Sequence, residues 1–226
     1  MKKKLIIFGD GPSAEVVAKI TEESKIFEIF CFTVNKKYLK KKKLFNYNII
    51  EYEKLIRIKN KKDYLLFVSL GYSNLNKTRE KIYKNVKKDG FALTSIIHPN
   101  ANICRSVKLG YNNFIMQDVH IHPLVKIGNN NFIWSGSIIG HHVKIGNHCW
   151  FTSGSSVAGK TIIGNNCFFG INSTIVNNIK IGDEVFIGAG ALVNKDLRKQ
   201  STIIRKSDPL YNLKSDEFIK LINNNY

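Results

Sequence analysis

Two adjacent histidines, His141 and His142, stand between Ile139-Gly140 and Val143-Lys144-Ile145-Gly146. An imidazole titrates near neutral pH, so it can take a proton as an amine or hydroxyl attacks a carbonyl. The pair is therefore a candidate general base, and its plain alternative is a turn histidine facing solvent. Near the other end, Gly9-Asp10-Gly11-Pro12-Ser13-Ala14 follows the apolar run from Lys4 and precedes a helical stretch from Glu15 to Thr21. A glycine turn between strand and helix lets backbone N–H groups approach a phosphate at the positive end of the helix; a tight turn without ligand has the same pattern.

The elements that must hold the histidines follow a period of six. From Ser95 to Asp196 the chain divides into 17 hexads without an insertion, and the third place is apolar in every one, from Ile97 to Val193. A period of six fits neither a helix nor a long strand. It fits short strands joined by tight turns, three hexads making one triangular coil, with glycine at the fourth place relieving the backbone where it turns.

The glycine turn requires a small α/β unit. Glu28 to Val34, Tyr47 to Ile50 and Tyr64 to Leu70 read as strands, and Leu75 to Lys88 as a helix, so a Rossmann-like parallel sheet is expected. Thr33, Val34, Asn35 and Lys36 stand where a dinucleotide fold usually places an acid, which argues against NAD. The expected division is 1–94 for this domain, 95–196 for the repeats, and 197–226 for a tail with a short helix.

Composition agrees with a globular protein: of 226 residues, 43% are hydrophobic and 23% charged. The net charge of +18 is concentrated in the first 94 residues, with 22 basic against 10 acidic, which favours anionic ligands. Nucleic acid is not expected, because the basic residues lack aromatic interleaving or a groove-reading motif. Cys31, Cys104, Cys149 and Cys167 have no CxxC spacing and read as reduced, mostly buried thiols. No apolar run is long enough for a transmembrane helix, and the run ending at Phe8 is too short for a signal peptide, so a cytoplasmic protein is expected.

The hexads resemble those of the bacterial hexapeptide-repeat transferases. With the N-terminal half, nearly the whole chain resembles the sialic acid O-acetyltransferase-like family of sugar acyltransferases, which includes N-acetyltransferases of nucleotide-linked amino sugars. The resemblance implies a left-handed parallel β-helix, a homotrimer, acetyl-CoA as acyl donor without a metal, and a nucleotide-linked sugar as acceptor. It gives His141 the general-base role and puts His142 where relatives carry an acid. It assigns Trp150, Gly159, Ile171 and Ala189 to the CoA arm, and Gly9, Gly11, Ser13 and Gly71 to the nucleotide sugar. Trp134 joins the substrate residues, in place of a common asparagine, and Trp134-Ser135-Gly136 with Ile139-Gly140-His141-His142 resembles a narrower subset of the family. Pro12-Ser13 replaces the common Gly-His. The expected activity is N-acetylation of a nucleotide-activated amino sugar for surface-glycan synthesis; O-acetylation and a non-catalytic trimeric nucleotide-sugar binder are the alternatives. A plain β-helical rod, and a γ-class carbonic anhydrase using zinc on histidines such as His98, His120 and His122, fit less of the chain.

Overall fold

A computed structural model describes residues 3–210 and 212–223. The N-terminal domain is a six-stranded sheet of β1 (Lys4–Phe8), β2 (Glu28–Val34), β3 (Lys43–Leu44), β4 (Tyr47–Glu51), β5 (Tyr64–Val68) and β6 (Ala92–Leu93). Its order is β3-β4-β2-β1-β5-β6, parallel throughout except between β3 and β4. Central β1 is covered on both faces, so Leu5, Ile6, Ile7 and Phe8 form the continuous apolar run that a buried parallel strand requires.

Three helices cover the sheet: α1 (Pro12–Ser24), α2 (Tyr52–Leu55) and α3 (Lys77–Lys88). α1 starts earlier than the sequence suggested, because Pro12 suits a first turn whose N–H needs no partner. α3 starts later, because Asn74, Leu75 and Asn76 have left-handed backbone (φ 51°, 48° and 65°).

The second half is a left-handed parallel β-helix whose three faces carry seven, six and five strands. Each strand pairs with the strand 18 residues on, as Phe114-Ile115 pairs with Phe132-Ile133. Third-place side chains from Ile115 to Val193 point inward and are at most 5% exposed, each contributing roughly 2 kcal/mol of burial. Phe151 and Phe169 stack inside, with centroids 4.3 Å apart. The ladder runs past Asp196: Leu197 bridges to Ile181, and Thr202–Ile203 pairs with Phe186–Ile187. Beyond it, α4 (Ser215–Asn223) buries no residue.

The fourth-place glycines have a different reason from the one expected. The left-handed turn lies at the sixth place, as at Asn130 (φ 60°), Asn166 (φ 57°) and Asn178 (φ 61°). The fourth place is where successive coils touch. A Cβ on Gly128 would stand 2.5 Å from the Gly146 carbonyl oxygen, and one on Gly146 would stand 2.7 Å from that of Gly164.

Second-place residues point outward and give each face its own character. One face is aromatic, with Phe114, Phe132, Trp150, Phe168 and Phe186; one is uncharged, with His120, Ile138, Ser156, Thr174 and Leu192; one carries Lys108, Lys126, Lys144, Ile162 and Lys180. The N-terminal domain covers the aromatic face. Phe67 of β5 packs on Phe114 and Phe132, at 6.4 and 5.8 Å between centroids. The Asn112 side chain accepts from the Val68 N–H at 2.7 Å and donates to its carbonyl at 3.1 Å. The cysteines are unpaired and three are buried, which pushes the Cys31 thiol up to about 12.

Candidate active site

His141 and His142 occupy the corner between the uncharged and lysine faces. His142 takes the left-handed sixth-place conformation (φ 62°), which turns its ring back toward its neighbour. The two Nδ1 atoms are 3.0 Å apart with the rings perpendicular, so one nitrogen donates and the other accepts. When His141 donates, its Nε2 lone pair is left free, the state a general base needs. That ring rests on Gly159, one coil on, where a Cβ would stand 2.7 Å from both Cε1 and Nε2.

Beside His142 the lysine face forms an open groove of about 520 Å³, lined by Lys108, Lys126, Lys144 and Lys160 with Leu124 and Ile162. Among the described residues none of these lysines has a carboxylate in ion-pair range. Three stacked cations and Lys160 at the corner beside them, without counter-charges among the described residues, make a field that an anionic ligand would neutralise.

The remaining cofactor candidates divide. Ile171, half exposed, and Ala189 stack at the corner between the aromatic and uncharged faces, a face's width from His141 within one chain. Trp150, expected on the CoA arm, is 4% exposed and stacked on Phe132 at 4.6 Å, with the Arg79 guanidinium 5.1 Å from its ring. In one chain it packs between the domains. Trp134 lies in the same seam, 5.8 Å from Phe114, its Nε1 buried without an acceptor. The structure does not bring it to His141 in one chain.

Gly9, Gly11, Ser13 and Gly71 come together where β1 and β5 end. Gly9 has φ 129° and backs onto the Ser69 carbonyl, leaving no room for a side chain. Gly11 caps α1 without a side-chain bond and faces open space. A Cβ on Gly71 would stand 3.8 Å from Ser13 Oγ, so the two loops border one mouth. Next to these loops, at the carboxyl ends of β1, β2 and β5, lies a cavity of about 1360 Å³ lined by Asp10, Asn35, Lys36, Tyr38, Leu70 and Lys77 among others; it adjoins the four residues through Asp10 and Leu70, and none of the four lines it. Ligands of open α/β sheets bind at such a place.

Two residues were missed from sequence. Glu53 accepts from the Lys36 N–H at 2.8 Å and from Asn35 Nδ2 at 3.2 Å, supplying from α2 the acid that the end of β2 lacks. Arg79 is fully buried between the domains, which pulls its pKa down to about 9, still charged at neutral pH. Neither belongs to a local motif. The seam itself had a signal, an aromatic residue at the same hexad place every 18 positions. Among the described residues no three His, Cys, Asp or Glu side chains of one chain converge as metal ligands.

Against known families, residues 4–86 match the PglD N-terminal domain, and residues 124–159 and 160–195 match the bacterial transferase hexapeptide of six repeats. The chain thus joins a PglD-type N-terminal domain to a run of bacterial transferase hexapeptide repeats, the two parts of a hexapeptide-type acyltransferase. No curated protein matches it in sequence. Among solved structures it is similar to PerB from Caulobacter crescentus in complex with CoA and GDP-perosamine, at 24% identity over 88% of this chain and 92% of that one, TM-score 0.79. It is also similar to the acetyltransferase domain of PglB from Neisseria gonorrhoeae in complex with acetyl coenzyme A (20% identity, 89% and 96% covered, TM-score 0.79) and to WeeI from Acinetobacter baumannii (16%, 89% and 96%, 0.68).

Proposed function

We propose that the protein transfers an acetyl group from acetyl-CoA to the amino group of a nucleotide-linked sugar, an activity that would serve surface-glycan synthesis. The observation that carries the reading is the His141 ring, seated on Gly159 with its Nδ1 against His142. The acceptor amine attacks the thioester carbonyl, the tetrahedral intermediate collapses with loss of the CoA sulfur, and the C–S bond gives way to an amide. His141 Nε2 takes the proton that the amine sheds and returns it to the departing thiolate. Neutral His142 accepts from His141 Nδ1–H as a carboxylate would, but adds no negative charge to steady the imidazolium. That weaker assistance suits an amine, which gives up its proton readily once it has attacked, better than a hydroxyl.

One chain lacks a complete site in this reading, because the histidine corner lies opposite the face that carries the N-terminal domain. Three copies with their uncharged faces toward a common axis complete it. The histidine corner of one copy then meets the Ile171–Ala189 corner of the next, beside that copy's glycine-turn cavity. Lysine faces repel one another and the aromatic faces are covered, so the uncharged face is the one left for copies to share. CoA in PerB and acetyl-CoA in the PglB domain support the donor, and GDP-perosamine in PerB supports the acceptor class.

The test is incubation with acetyl-CoA and a panel of nucleotide-linked amino and hydroxy sugars, reading thiol release and product mass. Amide product from the amino sugars is expected. Thiol release with hydroxy sugars alone would replace N- by O-acetylation, and nucleotide-sugar binding with no thiol release would make the protein a binder.

A further inference from the structure

Arg79 is a charged side chain with no exposed surface, and among the described residues no carboxylate pairs with it. Its guanidinium lies over the Phe132 and Trp150 rings, 4.7 and 5.1 Å from their centroids. One terminal nitrogen donates to β-helix carbonyls, those of His148 at 3.1 Å and of Asn130 and Cys149 at 3.3 Å. The other donates to Asn76 Oδ1 at 2.9 Å, to the Gly71 carbonyl at 3.3 Å and to the Leu70 carbonyl at 3.5 Å.

A packing role alone needs no cation here, since a buried charge without a counter-ion is costly and an apolar side chain would fill the seam. The fork does what an apolar group cannot. In a trans peptide the C=O and N–H point opposite ways, and every peptide bond described is trans. Carbonyls of Leu70 and Gly71 that face Arg79 therefore turn the N–H groups of Gly71 and Tyr72 away from the guanidinium, in a loop that borders Ser13. Neither N–H finds an acceptor within the described residues.

We propose that Arg79 is a positioning residue of the acceptor site: by holding the Leu70 and Gly71 carbonyls against the β-helix, it aims the Gly71 and Tyr72 N–H groups at the diphosphate of a nucleotide-linked sugar. The proposal rests on the acceptor reading above. Arg79 touches no substrate. It ties the loop that receives the diphosphate to the β-helix, so the loop's N–H groups are oriented before the ligand arrives.

Titration calorimetry with a panel of nucleoside diphosphates tests it, on the wild-type protein and on Arg79→Lys, Arg79→Met and Asn112→Ala. Asn112 docks the same domain through Val68 without touching the Gly71 loop, so Asn112→Ala reports loosened docking alone. For the diphosphate that the wild type binds, Arg79→Met is expected to weaken affinity about tenfold or more and Arg79→Lys by less, with KM for acetyl-CoA unchanged. Asn112→Ala is expected to lower the unfolding temperature while holding affinity. Unchanged affinity in folded Arg79→Lys, or an equal loss in Asn112→Ala, overturns the proposal and leaves the acceptor reading standing. A wild-type protein that binds none of the diphosphates overturns both.

Discussion

The His141 imidazole rests on Gly159 so closely that the glycine hydrogen is the only substituent that fits: a Cβ there would stand 2.7 Å from Cε1 and from Nε2. Gly159→Ala should push the ring off its seat while the coil, whose inward side chains are untouched, stays folded. The expected result is a fall in kcat of about tenfold to a hundredfold with the unfolding temperature little changed, since sub-ångström displacement of a base is costly. Full turnover would mean that the ring position is not what the reaction uses.

His141→Ala or His141→Asn should lower kcat by roughly a hundredfold or more at saturating acetyl-CoA and acceptor, the scale of losing a positioned base. His142→Asn should be milder, because an amide oxygen can still accept from His141 Nδ1. CoA affinity measured separately guards against a binding defect. If His142→Ala is the inactive variant and His141→Ala the active one, the roles are reversed.

Gly11 faces open space at the start of α1, so Gly11→Trp adds bulk in the glycine turn without a clash inside the domain. KM for the nucleotide sugar should rise about tenfold or more, while KM for acetyl-CoA and the oligomeric state hold. Calorimetry showing unchanged nucleotide-sugar affinity would move the acceptor elsewhere.

Ile138 and Leu192 are 42% and 60% exposed on the uncharged face. Ile138→Lys with Leu192→Lys puts like charges on a surface that three copies are expected to share, so sedimentation should show trimers for the wild type and monomers for the double variant. Activity should fall with the trimer, as the site draws on two copies. A wild-type monomer with full activity would refute the shared site.

His148 is buried, which lowers its pKa to about 4, and its Nδ1 accepts from Asn130 Nδ2 at 2.8 Å. The unfolded chain takes up that proton near pH 6.5, so stability is full above that value and falls as pH drops toward 4, by at most about 3 kcal/mol. Glu80, beside it, adds a loss of the same sign at lower pH: burial would raise its pKa, but bonds from Lys84 and Asn166 hold it below the usual value. The urea midpoint should fall from pH 7 to pH 4.5, and His148→Gln should flatten that fall. A wild-type midpoint that is level over this range would contradict the buried neutral state.

The β-helix was legible because its rule is repeated 17 times. Each hexad states which side chain goes inward, and His141 is found by counting places. Glycine's reason was not legible, since a residue required by close approach and one required by positive φ look alike in a sequence. The packing around Trp150 was hidden for a related cause. The residue falls at a place that resembles a cofactor position, and only the columns above and below, Phe132 and Phe168, reveal a face that another domain covers. Arg79 carried no signal, because what defines it is a set of carbonyls up to 70 positions away.

The fixed coil also restricts how the chain can change length. Removing 18 consecutive residues between two corners would take out one coil and leave the aromatic, uncharged and lysine columns each continuous with itself. Removing six would keep the inward place satisfied but move everything downstream back by one face, so that the uncharged residues continued the column beneath the N-terminal domain, lysines took the uncharged face and aromatics took the lysine face. The chain could then still close its ladder and bury its core. What a change of length must preserve is thus the neighbour that each face meets, a stricter condition than the stability of the stack.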